Sequence, residues 1–188
     1  MKVTIFTDDD YEHLIPWIES RQVLLLWVSP GYDYPITKAQ LVKKKQEQND
    51  QRLAYKGVTG DEVVAYGEIG FIDKANQSAR LCKILINPAR RGVGLGTQWI
   101  KTLVDIGFTE LKLHRIELNV YDHNQPAIAC YQNAGFTIEG LIRDAYKVEE
   151  DFWSVYRMSI LRSEWLDKNT TTPTQIRNDL KVGLRKFN

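Results

Sequence analysis

In the string Arg91-Gly92-Val93-Gly94-Leu95-Gly96 three glycines and an arginine share six positions, with Arg90 just ahead of them. A loop with so little side chain exposes its backbone N–H groups, and the helix it opens adds unsatisfied donors and a partial positive charge. That chemistry is anion binding, most naturally of a phosphate or pyrophosphate. Glu68 offers a second chemistry, as the one acidic residue in the apolar run VVAYGEIGFI of residues 63–72. A carboxylate removed from water has its pKa raised toward neutrality, which suits proton abstraction, directly or through a water. The competing reading is a salt-bridged glutamate that at most binds a cationic substrate. A third chemistry belongs to Tyr131, whose reference pKa of about 10 keeps it protonated and able to donate. Packing beside Ile128 as a core aromatic is the alternative for that residue.

Glycine spacing narrows the phosphate ligand. A dinucleotide loop needs G-x-G-x-x-G, but the third position after Gly94 is Thr97 and Gly96 falls one residue early. A P-loop needs a lysine followed by Ser or Thr after its last glycine, and no lysine lies between Lys83 and Lys101. What remains is an R-x-x-G-x-G string between the apolar run Ile84, Leu85, Ile86 and a helix whose apolar residues Leu95, Trp99, Leu103 and Ile106 recur at helical spacing.

Around that core the chain reads as alternating elements. A short strand over 3–6 precedes a helix capped by Asp8 or Asp9, with Tyr11, Leu14, Ile15 and Ile18 inward. Residues 23–27 form either a helix or a buried connection, 29–37 a loop with two tyrosines, and Thr37 caps a polar helix through Lys43, Lys44 and Lys45. Strands over 53–59 and 63–72 join at Gly60-Asp61-Glu62, and a turn at 73–76 leads to the strand before the glycine loop, giving an antiparallel meander. Residues 115–121 alternate as a strand, Asn124 or Gln125 with Pro126 opens a helix that Gly135 ends, and strands follow over 136–142 and 150–161. Antiparallel strands followed by helix-connected ones imply an α/β sandwich on a mixed central sheet flanked by helices. Residues 1–166 make one domain; 167–188 are a polar tail in which Ile176, Leu180, Leu184 and Phe187 suit a short amphipathic helix.

Composition excludes other classes. With 25 basic against 24 acidic residues in 188, nothing global attracts nucleic acid or an anionic membrane. Cys82 and Cys130 are far apart and outside any C-x-x-C pattern, so they read as free thiols in a reducing, cytoplasmic compartment. No signal peptide or membrane span is legible, and His13, His114 and His123 lack ligand spacing, so no metal is expected.

The glycine loop, the segment NVYDHNQPAIACYQNAGF of residues 119–136 and the Glu68 strand together resemble the GNAT superfamily of N-acetyltransferases, over about 63–161 and closest to its ribosomal-protein alanine and polyamine branch. The resemblance implies transfer of an acetyl group from acetyl-CoA to a small-molecule or peptide primary amine, by a monomer or homodimer. It implies that pantetheine pairs with Ile84, Leu85 and Ile86 where two strands splay. It also implies that pyrophosphate rests on the backbone of Arg91, Gly92, Val93, Gly94, Leu95, Gly96 and Thr97, and that Asn124 contacts the cofactor. Tyr131 stands where the family usually places a tyrosine acid toward the leaving thiolate, and Glu68 is the base, ahead of Glu117 and Asp122. Trp27, Tyr32, Tyr34, Phe152 and Trp153 are candidates to line the acceptor pocket. A non-catalytic acyl-CoA-binding module on the same scaffold is the alternative, with a nucleotide-binding oxidoreductase behind it.

Overall fold

The computed structural model describes residues 1–28, 31–48 and 51–169. The amphipathic repeat expected at 176–187 therefore lies outside the described residues, as do Ser29 and Pro30 of the tyrosine loop. Seven strands form one sheet: β1 (Lys2–Ile5), β2 (Leu53–Thr59), β3 (Glu62–Asp73), β4 (Ser78–Ile86), β5 (Arg115–Tyr121), β6 (Thr137–Val148) and β7 (Asp151–Leu161). Their spatial order is β1-β2-β3-β4-β5-β7-β6. Every neighbouring pair is antiparallel except β4 and β5, which the crossover helix α4 (Leu95–Thr109) makes parallel.

Both faces of the sheet are covered, which is why residues 64–70 of β3 are buried without alternation. On one face α4 and α5 (Gln125–Ala134) pack Trp99, Leu103, Phe108 and Ile128 against Ile69, Ile116 and Met158. On the other, α1 (Tyr11–Leu14), α2 (Arg21–Trp27) and α3 (Lys38–Glu47) bring Leu14, Leu24, Trp27 and Leu41 over Tyr66 and Leu85. A short α6 (Arg162–Asn169) follows β7, and Trp165 donates from Nε1 to Asp105 of α4 at 2.6 Å.

The N-terminal helix departs from expectation. Thr7, rather than Asp8 or Asp9, precedes it, its N–H and hydroxyl both donating to Asp10 Oδ2 at 2.7 and 3.1 Å. Only one α-turn forms before the chain tightens at Ile15–Trp17, because Pro16 brings no N–H to continue the helix. Residues 23–27 do lie in a helix, which Ser20 caps by accepting from Val23 N–H. The strand expected over 136–142 extends to Val148, since β6 and β7 pair along a long hairpin.

One irregularity in the sheet matters for the site. Tyr66 pairs with Leu85 and Glu68 with Cys82, so Lys83 and Ile84 together oppose the single residue Gly67. This β-bulge puts Lys83 at φ 49°, in the left-handed region. Gly67 is required here: a β-carbon would fall 2.7 Å from Ile84 Cδ1, 2.8 Å from Leu103 Cδ1 and 3.0 Å from Trp99 Nε1.

Candidate active site

β4 and β5 pair only at Ser78–Arg115, Ala79–Ile116 and Arg80–Glu117. Beyond Arg80 the two strands diverge, and β4 keeps an edge unpaired toward β5 up to Ile86. Such an edge presents backbone donors and acceptors to any extended chain laid along it. A cavity of about 480 Å³ opens in this fork. Cys82, Lys83 and Ile84 from β4 line it, with Asn119 and Tyr121 from β5 and Tyr131 from α5.

At the open end of the fork β4 runs into the glycine loop. Gly92 and Gly94 both have φ 81°, and a β-carbon at either would meet no heavy atom within 4 Å, so the space over the loop backbone is clear. Gly94 is the N-cap of α4 and supplies no side-chain cap, and the first i→i−4 bond runs from Gln98 N–H to Gly94 O at 3.1 Å. The amides of Leu95, Gly96 and Thr97 precede that bond and remain donors without a helical partner. A β-carbon on Gly96 would press on Cys130 Sγ at 3.3 Å, so this glycine also lets α5 approach. The arginines are occupied locally: Arg90 Nε donates to Glu62 Oε2 at 3.0 Å, and Arg91 Nε to Ile86 O at 3.2 Å. The loop backbone offers its own donors to an anion, and a diphosphate fits it: the cradle is clear where side chains would intrude.

Asn124 is the N-cap of α5, its Oδ1 accepting from Ala127 N–H at 3.3 Å, and it faces the cavity. Seven residues on, Tyr131 is part of the cavity wall, its ring 6.0 Å from that of Phe136. Burial, then the nearby thiols of Cys130 and Cys82, push the Tyr131 phenol above its ordinary pKa, so it carries its proton at neutral pH. Burial also pushes the Cys82 thiol up to about 11, leaving it protonated and a poor nucleophile. Ile84 lines the cavity; Leu85 and Ile86 do not, because Leu85 turns into the core under α2 and Ile86 packs toward α4.

Glu68 differs from the sequence expectation. It is only 5% exposed and stands behind the cavity wall rather than in it. Its Oε1 accepts from the Tyr66 hydroxyl and from Lys83 Nζ at 3.1 Å, and its Oε2 from Arg52 Nη1 at 2.9 Å. Burial pushes the carboxyl up, but Lys83, the Tyr66 hydroxyl and Arg52 together outweigh it and hold it below the usual carboxylate range. The pKa raised toward neutrality expected from an apolar strand is thus corrected: the sequence could not reveal two cations brought from β2's approach and from the bulge. Glu117 is likewise engaged, accepting from Arg80 at 3.1 and 2.6 Å, and Asp122 sits at the surface beside His123.

Of the candidate pocket aromatics, Trp27 and Tyr32 line the cavity, and Trp27 Nε1 donates to the bulge carbonyl of Lys83 at 2.8 Å. Tyr34 is turned away, its hydroxyl on Glu19 O at 3.1 Å, while Trp153 packs on Tyr121 and His123 and Phe152 is exposed. Arg52, Phe71, Arg80, Cys82 and Lys83 were not foreseen as lining residues. Arg80 and Cys82 stood at period-two spacing on one strand face, a usable signal; the bulge that adds Lys83 leaves none.

A family model described as the acetyltransferase (GNAT) family matches residues 17–136. The chain belongs to the GNAT acetyltransferase family. It is an acetyl-CoA-dependent N-acetyltransferase. Among its relatives, the spermidine N(1)-acetyltransferase of Escherichia coli (strain K12) is 25% identical over 87% of each chain, and that of Vibrio cholerae is 27% identical over 80% of this chain and 86% of the relative. The crystal structure of the Vibrio cholerae spermidine N-acetyltransferase in complex with CoA and spermine superposes with TM-score 0.75 at 23% identity, covering 88% of this chain and 97% of that one, which shows a common fold. Among the described residues no helix is long and apolar enough to cross a membrane.

Proposed function

We propose that this N-acetyltransferase acetylates a primary amine held in the fork cavity, with Tyr131 as the general acid toward the leaving thiolate. The backbone of Arg91–Thr97 and the Asn124 side chain hold the cofactor, and the open edge of β4 around Ile84 receives its pantetheine arm. The observation that carries this reading is that Tyr131, Asn124 and the open β4 edge share one cavity, and that β4 leads out of it into the glycine loop. When bound, acetyl-CoA supplies the activated acetyl group: the amine nitrogen bonds to the acetyl carbon as the carbon–sulfur bond breaks.

Protons are moved by the chain and by solvent. Tyr131 gives its proton to the departing sulfur and takes one back from solvent; the net result, protonation of a thiolate of pKa about 8.5 by analogy with cysteine, is worth only about 1.5 kcal/mol near pH 7.4. Its larger service is kinetic, since a positioned acid contributes about 10² to 10⁴ in rate. The amine must shed a proton first, which costs roughly 4 kcal/mol for a free alkylamine of pKa about 10.4. Glu68 does not take that proton, because its lowered pKa makes it a weak base and three donors already engage it. It acts as a positioning residue that holds Arg52 and Lys83 at the cavity wall. Those cations lower the amine's pKa by like-charge repulsion, and the proton leaves to solvent through the cavity mouth. The test is Tyr131→Phe assayed by thiol release: turnover falls about 100-fold while KM for acetyl-CoA stays within about twofold. Unchanged turnover removes Tyr131 from the mechanism.

A further inference from the structure

The cavity wall is strongly biased in charge. Among the described residues Lys44, Arg52, Arg80 and Lys83 line it, against the one carboxylate of Glu47, which is itself paired with Lys44 at 3.3 Å. Two carboxylates that pair with the other cations, Glu68 and Glu117, are not among the residues lining the cavity. Glu68 is shared by Arg52 and Lys83; Glu117 is shared by Arg80, Arg115 and Arg157, of which Arg115 also pairs with Glu139, so two carboxylates face three guanidinium groups there. Arg52 and Arg80 each place a guanidinium 4.7 Å from the centroid of the Phe71 ring, which fixes both forks beside the cavity. Arg80 spends Nε and Nη2 on one oxygen of Glu117, and among the described residues its Nη1 makes no hydrogen bond.

Arg80 is too far from the glycine loop to serve its diphosphate. It is six positions from Ile86 on β4, roughly 20 Å along a strand. It stands instead at the closed end of the fork, where an acceptor would enter. A polycationic acceptor would bring like charge to this wall. A guanidinium fork with donors to spare matches a carboxylate in both charge and planar geometry.

We infer that the acceptor is a primary amine whose molecule also carries a carboxylate, an amino-acid-like compound or a peptide N-terminus with an acidic side chain, bound through Arg80. This rests on the amine-acetylating role proposed for the cavity and goes beyond it in fixing the acceptor's charge, which sets this chain apart from relatives named for spermidine. ω-Aminohexanoate, its amide and hexanediamine share one chain length and differ in the charge at the far end. Spermidine, and two tetrapeptides with acidic or neutral second residues, complete a panel read by thiol release.

The carboxylate is preferred to the amide by about tenfold or more in kcat/KM, and the amide to the diamine. Preference for the acidic peptide over ω-aminohexanoate would identify a peptide N-terminus as the source, and the reverse a small compound. Arg80→Gln flattens the preference with acetyl-CoA affinity unchanged, and Arg80→Lys restores part of it. On the unaltered protein, raising ionic strength narrows the carboxylate-to-amide ratio, which keeps the question decidable if Arg80→Gln fails to fold. Preference for hexanediamine or spermidine over the amide overturns the inference and leaves amine acetylation standing. Thiol release with no member of the panel overturns the amine-acetylating role itself, and this inference with it.

Discussion

The two faces of the sheet contribute to one cavity in different ways. On the α4 side the elements proposed to hold the cofactor are consecutive in the chain: β4, the glycine loop and the first turn of α4 occupy residues 78–97, and their chemistry is that of the backbone. On the α1–α3 side the wall is assembled from α2, α3, the approach to β2, β3 and β4, and its chemistry is that of side chains brought together across the fold. A backbone site tolerates drift in everything but its glycines; a side-chain site can be retuned one residue at a time. Families that keep one donor and vary the acceptor need that division.

If the acceptor face depends on Glu68 as a buried counter-ion, removing its charge has the largest effect. Glu68→Gln leaves Arg52 and Lys83 against an uncharged amide and costs about 3 to 5 kcal/mol, readable by denaturant unfolding. Wild-type stability follows the same group: its folded pKa is lowered, so its contribution is present above the ordinary carboxylate value of 4.5 and is lost as pH falls below it through the folded pKa. A Glu68→Gln protein as stable as wild type, with the same acid sensitivity, would mean that the two cations are held by something else.

The bulge joins the two faces, and Gly67 is its test. Gly67→Ala drives a β-carbon into Ile84, Leu103 and the Trp99 indole, whose Nε1 is fixed on Tyr66 O at 2.9 Å. A loss of about 1 to 3 kcal/mol is expected, with impaired turnover because Lys83 moves. Unaltered stability would show that the bulge can shift freely. A smaller change probes the cofactor side alone. Asn124→Ala removes the cap of α5 and costs about 1 kcal/mol, raising KM for acetyl-CoA while leaving the acceptor's charge preference as it was. A changed preference would blur the division between the faces.

The same division explains what the sequence disclosed. The glycine loop, the caps at Thr37, Asn124 and Gly135, and most element positions were legible because each is a local pattern of a few residues. The long β6–β7 hairpin was underestimated because its outer positions are exposed on the sheet edge and carry no alternation. Glu68 was read with the right burial and the wrong pKa direction: an apolar run reports desolvation, but not which cations arrive from sixteen residues upstream and from a bulge on the next strand. The clustering of Arg52, Phe71 and Arg80 went unread for the same reason, since their stacking is a tertiary fact.

Whether the loop backbone holds acetyl-CoA is tested most directly by thermal unfolding of wild type and Gly94→Ala with acetyl-CoA, CoA and NADH. The substituted β-carbon enters open space over the loop, so beyond about 1 kcal/mol of backbone strain at φ 81° the protein keeps its fold. At about a hundredfold over the dissociation constant, acetyl-CoA and CoA should each add roughly 2.7 kcal/mol to wild type, a shift of about 5 to 10 °C, with none from NADH. In Gly94→Ala, at the same ligand concentrations, most of that shift should vanish. An equal shift in both proteins would contradict the backbone-loop assignment, and no shift in wild type at saturating acetyl-CoA would contradict the cofactor site as a whole.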